Sequence, residues 1–190
     1  MFIFIYSKIK KYFEKIPKLY FSIPDNDSLI IFDEMNSKYI KKYTHTKKVY
    51  EIKFRDNYFN FFAVLYSLVF FYKSSMKVEY LKFFLNRTKI NTMITMNYNR
   101  LLIYQIKKFY PETKVIVIQN GIFGDEFIEK IKNSKYKNLI CDYFFCISYY
   151  EKKKLEKLIK CKFIIIGSLK NNSYNIKKIK KKNEVLFISQ

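Results

Sequence analysis

The chain has 190 residues, 37 Lys+Arg against 16 Asp+Glu for a net charge of +21, and an apolar fraction of 49%. That apolar fraction excludes a disordered chain of low hydrophobicity, and the length suits one domain of roughly 100–200 residues with a sizeable core. Three Gly and three Pro are too few for the tight turns of a propeller, sandwich or hairpin array, so long crossovers are expected.

Of the basic residues only Arg55, Arg87 and Arg100 are arginine, and Lys, Ile, Asn, Phe and Tyr are all abundant. This is the bias of an AT-rich genome, so the charge is weak support for a nucleic-acid partner. Cys141, Cys146 and Cys161 cannot pair completely, which fits a reducing compartment better than a disulfide scaffold. The C-x4-C spacing with one distant cysteine and the lone His45 matches no usual zinc arrangement, and no metal site is expected.

In chain order, residues 1–27 open with MFIFIYSKIKKYF, where the apolar run precedes the basic residues, the reverse of a secretory signal. Ser28 to Phe32 (SLIIF) predicts a strand, followed by Asp33 and Glu34 and a helix over 35–43. Val49 to Phe54 alternates as a second strand, with His45 in the loop before it. Asn57 to Tyr72 is uncharged but shorter than the ~20 apolar residues that span a bilayer, so a buried helix is expected. A second helix, 76–87, carries Leu81, Phe84 and Leu85 on one face.

Ile90 to Met96 then predicts a strand, 98–109 a helix ending before Pro111, and Lys114 to Ile118 (KVIVI) a β-branched strand. Residues 124–133 form a helix, Leu139 to Ile147 contain a strand, 149–160 form a Lys/Glu-rich helix, and Lys162 to Ile166 (KFIII) form one more strand. Continuously apolar strands alternating with helices define an α/β class: a doubly wound, mainly parallel, Rossmann-like sheet over residues 28–169 with helices on both faces. Lys170 to Asn183 is Lys-rich and reads as a linker, and Glu184 to Gln190 (EVLFISQ) reads as the first strand of a second domain that is otherwise missing.

In an open parallel sheet, ligands bind beyond the carboxyl ends of the strands. The loops expected there hold all three glycines, and their candidate binding residues are Asn97, Asn99, Arg100, Gln119, Asn120, Gly121, Gly167 and Ser168. Each has a structural counterpart: Gly121 and Gly167 let strands turn, the asparagines suit caps, and Arg100 suits a solvated helix face. Asp33 and Glu34 fit helix capping better than general-base chemistry. There is no G-x-G-x-x-G, P-loop, nucleophile elbow or RNP-like pattern, so no catalytic residue is assigned.

Strand-ending IQNG (Ile118 to Gly121), ITMNYN (Ile94 to Asn99), CDYFFCIS (Cys141 to Ser148) and IIIGSLKNN (Ile164 to Asn172) together resemble the N-terminal half of bacterial surface carbohydrate (capsule or polysaccharide) biosynthesis proteins. Those proteins are similar to two-domain, B-fold glycosyltransferases. The resemblance runs over roughly 28–190 and implies a transferase that moves a sugar, or a related phosphate-linked unit, from a nucleotide donor to a glycan or lipid-linked acceptor. It implies an acceptor-side half that binds no cofactor itself, with the nucleotide-sugar donor gripped by the missing C-terminal half or a separately encoded partner. It also implies a cytoplasmic protein, peripheral at the inner face of the membrane.

One departure stands out: the family often carries an Asp-Asn pair after the third strand, where this chain has Asn97-Tyr98-Asn99, and an amide cannot act as a base. The alternative reading is a non-catalytic basic module that binds an anionic membrane or nucleic acid through Lys157 to Asn183.

Overall fold

In a computed structural model, residues 18–32, 36–44, 48–52, 58–122, 124–132 and 139–172 are described. The strands of the main sheet are β2 (Leu29–Ile31), β3 (Val49–Glu51), β5 (Thr92–Thr95), β6 (Lys114–Ile118), β7 (Leu139–Cys146) and β8 (Ile159–Ile165). They form one sheet in the order β3-β2-β5-β6-β7-β8, and every neighbouring pair is parallel. Each of the six lies where an apolar or alternating run predicts it. The register pairs Ile30 with Met93, Ile116 with Tyr143 and Leu139 with Ile159, with an irregularity between Ile140 and Tyr143.

The chain winds outward from β2 to β3, returns past β2 to β5, and then advances one way to β8. Right-handed crossovers therefore put α1 (Ser37–Lys41) on one face and the helices that connect β3 through to β8 on the other. Side-chain alternation records the two layers. Ile30, Met93, Val115, Val117 and Phe144 pack with Leu81, Phe84, Ile103, Ile106 and Leu155, from α3 (Met76–Leu85), α4 (Leu101–Phe109) and α6 (Tyr149–Leu155). On the opposite face Ile31, Met96 and Ile118 pack with Ile40 of α1 and Leu169 of α7 (Leu169–Asn172). A further helix, α5 (Asp125–Lys132), joins β6 to β7.

Three helix starts are capped as their sequences direct. Asn60 accepts from Ala63 N–H at 3.0 Å, Ser75 from Val78 N–H at 3.4 Å, and Ser148 from Glu151 N–H at 3.2 Å. Within α3, the buried Lys82 meets Glu112 and lies 4.1 Å from the centre of the Tyr110 ring. Tyr110 and Ser74 both donate to the buried Glu79 carboxylate at 2.6 Å. Burial, and then Glu79 itself, hold the Tyr110 hydroxyl well above its ordinary pKa.

The structure departs from the sequence reading in three places. A separate two-stranded parallel sheet joins β1 (Lys18–Tyr20) to β4 (Tyr58–Asn60), which short, partly exposed segments do not announce. The expected buried helix over 57–72 is α2 (Phe61–Phe70), and just Ala63 and Ser67 of it are buried, because β4 takes the front of the run and one side of the helix faces solvent. The helix expected to reach residue 160 stops at Leu155, since pairing with Leu139 draws Ile159 into β8. His45, Asp33, Glu34 and residues 173–190, including the expected strand at 184–190, lie outside the described residues.

Candidate functional site

Because all six strands are parallel, the loops after β2, β5, β6, β7 and β8 leave from one edge. The winding reverses between β2 and β5, the switch point at which such sheets open a crevice. Thr95 Oγ1 donates to the carbonyl of Phe32 at 2.8 Å, and Asn97 Nδ2 donates to the same oxygen at 3.2 Å. The Asn97 backbone N–H in turn donates to Thr95 Oγ1 at 2.9 Å. These bonds fix the end of β5 against β2 and hold Asn97, half-buried, at the reversal.

Further along the edge, Tyr98, Gln119, Gly121, Ser148 and Glu151 come together. Gln119 is 1% exposed; its Nε2 donates to Gly121 O at 2.9 Å and to Glu151 Oε2 at 2.8 Å, and its Oε1 accepts from Ile147 N–H at 3.1 Å. Every polar atom of this side chain is thus committed within the protein, so Gln119 shapes the edge and offers nothing to a ligand. Glu151 is 3% exposed, with Lys154 Nζ 3.9 Å from its other oxygen. A Cβ on Gly121 would lie 3.6 Å from the Tyr98 hydroxyl, an ordinary contact. Burial first, and then Glu151, raise the Tyr98 hydroxyl above its usual pKa, so it stays protonated at neutral pH.

Asn120 is the exception on this edge: its Oδ1 is buried and has no hydrogen-bond partner among the described residues. A buried acceptor left unsatisfied costs about 1–3 kcal/mol, which an incoming donor recovers. Asn99 and Arg100 are exposed, and the Arg100 side chain does not cap α4. At the β8 end, Gly167 has φ +73, the left-handed region that turns the strand into α7, and Ser168 Oγ accepts from Asn171 N–H at 3.3 Å.

On the α1 face lies an apolar groove of about 450 Å³. Its floor is Ile94, Ile116, Ile118, Phe145 and Ile166, with Ile40 and Leu169 at the sides. The Tyr43 hydroxyl donates to Asn172 O at 3.0 Å, joining α1 to α7 along its rim. Asn120 follows the floor residue Ile118 by two positions, so the polar edge and the apolar groove adjoin through β6.

The candidates therefore divide. Asn97 sits at the switch point; Gln119, Asn120 and Gly121 sit with Tyr98 and Glu151; Gly167 and Ser168 sit beside the groove; Asn99 and Arg100 join none of these. Glu151 was not anticipated, because a Lys/Glu-rich helix reads as solvated. The signal that finds it is the S-x-x-E pattern of Ser148 to Glu151, a helix start that draws the carboxylate back toward the edge. No group of His, Cys, Asp or Glu among the described residues could hold a metal. Of the Lys-rich 157–183 segment, residues 173–183 lie outside the described residues.

Fold and edge together define an open, doubly wound, Rossmann-like parallel α/β domain. No protein-family model, curated protein or solved structure matches the chain.

Proposed function

We propose that the chain is the acceptor-side half of a glycosyltransferase-like protein of surface polysaccharide synthesis. It binds a glycan or lipid-linked acceptor at the carboxyl edge, while the nucleotide-sugar donor is gripped by a separate half. The observation that carries this reading is the buried Oδ1 of Asn120, without a hydrogen-bond partner among the described residues and two positions past Ile118 of the apolar groove. A sugar hydroxyl is a donor of the kind that Oδ1 requires, and a hydrocarbon tail suits a groove lined by isoleucines. The reading is of a binding half: the edge carboxylate Glu151 is tied to Gln119, and Asn97 cannot serve as a base. A leaving diphosphate needs fixed positive groups and helix N-termini, which the resembled proteins carry in the other half.

The test offers purified protein a short-chain polyprenyl-linked oligosaccharide and the matching free oligosaccharide, read by saturation-transfer NMR and calorimetry. Both bind, the lipid-linked form more tightly, and Asn120→Ala weakens both about tenfold, the worth of one buried hydrogen bond. Nucleotide release from a panel of nucleotide sugars stays at background for this chain alone. Absence of any glycan contact overturns the acceptor role, and robust turnover by the chain alone overturns the half-enzyme reading.

A further inference from the structure

Helix α2 is built inside out. The residues it buries, Ala63 and Ser67, are small, whereas Phe62, Leu65, Leu68 and Val69 point to solvent at 42 to 63% exposure. Phe71 and Tyr72 just beyond its end are 59% and 70% exposed. Positions 62, 65, 69 and 72 recur at the spacing of one helical stripe, so the exposed apolar groups are contiguous. The patch continues past the end of β1: the Phe21 ring, 58% exposed, lies 6.1 Å from that of Phe62. Leu19 and Met76 border a second apolar groove, of about 530 Å³, beside Val64. A water-exposed surface of this extent marks a place where something apolar docks.

The charges around the stripe identify the occupant. Residues 57–78 contain no acidic residue. The cations lie at the rim: Lys18 is 5.2 Å from the Tyr58 ring centre, Lys73 is 4.8 Å from that of Phe70 and 5.9 Å from that of Tyr72, and Lys77 borders the second groove. Aromatic side chains beside an aliphatic stripe, rimmed by lysines whose stems can lie along apolar surface, are matched to the headgroup boundary of an anionic bilayer. A second copy of a chain carrying +21 is repelled from the same surface. No described helix is long and apolar enough to cross a membrane, so the contact is with one leaflet.

We infer that α2 and the adjoining β1 form an interfacial docking surface for anionic lipid. The helix lies in the plane of the headgroups, with its apolar stripe immersed and Lys18, Lys73 and Lys77 against lipid phosphates. This assigns membrane contact to a built apolar surface and not to the lysine-rich 157–183 segment, and it stands independently of the glycosyl-transfer reading.

The chain contains no tryptophan, so Leu65→Trp supplies a single reporter. On phosphatidylcholine–phosphatidylglycerol vesicles its emission shifts to the blue and is quenched by acyl chains brominated near the headgroup. On pure phosphatidylcholine both effects are much weaker. Leu68→Glu with Val69→Glu weakens vesicle sedimentation at least about tenfold with an unchanged thermal melt, as expected when the immersed stripe supplies the affinity. Lys73→Glu with Lys77→Glu weakens it at low salt through the rim alone, and provides a second variant should the first fail to fold. Vesicle binding without quenching, or binding indifferent to both pairs of substitutions, overturns the assignment. So does an emission that is already blue-shifted and shielded from iodide in plain buffer, because the stripe would then be covered by the chain itself or by a second copy. Tighter binding to single-stranded RNA than to vesicles, lost in the same variants, also overturns it.

Discussion

Replacing Gln119 with leucine tests whether one amide holds the carboxyl edge together. The side chain is 1% exposed and makes three hydrogen bonds: from Ile147 N–H, to Gly121 O and to Glu151. Leucine preserves the volume, so no cavity contributes, but it removes all three bonds and strips the buried Glu151 of this donor. Taking about 1 kcal/mol for each of the two neutral bonds and about 2 kcal/mol for the bond to the carboxylate gives a loss of about 4 kcal/mol. For a chain of this size that corresponds to a fall of about 8–16 °C in Tm. Glu151→Gln keeps an acceptor facing the amide and costs less. In a double-mutant cycle the two changes couple by about 1 kcal/mol, the difference between a bond to a charged and to a neutral acceptor. Urea unfolding followed by circular dichroism measures each midpoint at constant slope. A cost for Gln119→Leu below about 1 kcal/mol, or strict additivity with Glu151→Gln, refutes the reasoning, since a lost pin and an uncompensated buried carboxylate cannot both be that cheap.

Gly167→Ala forces a Cβ into φ +73 and lowers stability by about 1–2 kcal/mol in thermal melts, whereas Gly124→Ala, whose new Cβ meets nothing within 4 Å, moves the melt by much less. The Lys82 ammonium beside Glu112 holds that carboxyl below its ordinary value. The contribution of the pair is therefore present above the unfolded pKa of ~4.3 and disappears as pH falls through the lower folded value, so wild type and Glu112→Gln differ in urea midpoint at pH 7 and converge in acid. Burial pushes the Cys146 thiol up to about 12, while a hydrogen bond with Cys161, then burial, raises that of Cys141. At pH 8 a disulfide reagent reaches at most the half-buried Cys161 in native protein and all three thiols after denaturation. The same raised values mean that stability from these two thiols is complete below the unfolded pKa of ~8.5 and is lost as pH climbs toward the folded ones. Rapid labelling of two or more native thiols contradicts that burial.

The main sheet is legible in the sequence because a strand buried on both faces must be apolar without interruption, and runs such as Lys114 to Ile118 and Leu29 to Ile31 meet that demand in a few residues. What stays hidden depends on partners. Lys18 to Tyr20 and Tyr58 to Asn60 are strands through pairing with each other, which local pattern does not encode. The outward stripe of α2 is invisible to composition, since an apolar helix reads the same whether it lies under a sheet or against some other apolar phase. At the edge, residue types locate the loops while side-chain commitments elude them. Gln119 and Asn120 are adjacent amides, yet one is wholly satisfied inside the protein and the other has a buried oxygen without a partner among the described residues. The three glycines cluster for unlike reasons, with a positive φ at Gly167 and open space at Gly124.

The bond from the Tyr43 hydroxyl to Asn172 O spans 129 positions of chain. During synthesis at ~5–20 residues per second, helix α1 waits about 6–26 s before Leu169 and Asn172 leave the ribosome to close the layer beside it, while the isoleucine floor beneath is still being made strand by strand. The opposite face acquires its helices one crossover at a time as the strands are made. The nascent protein is therefore one-sided, sealed on its α3 and α4 side and open on the other, and a chaperone that recognises aliphatic surface has a defined interval and a defined face on which to act.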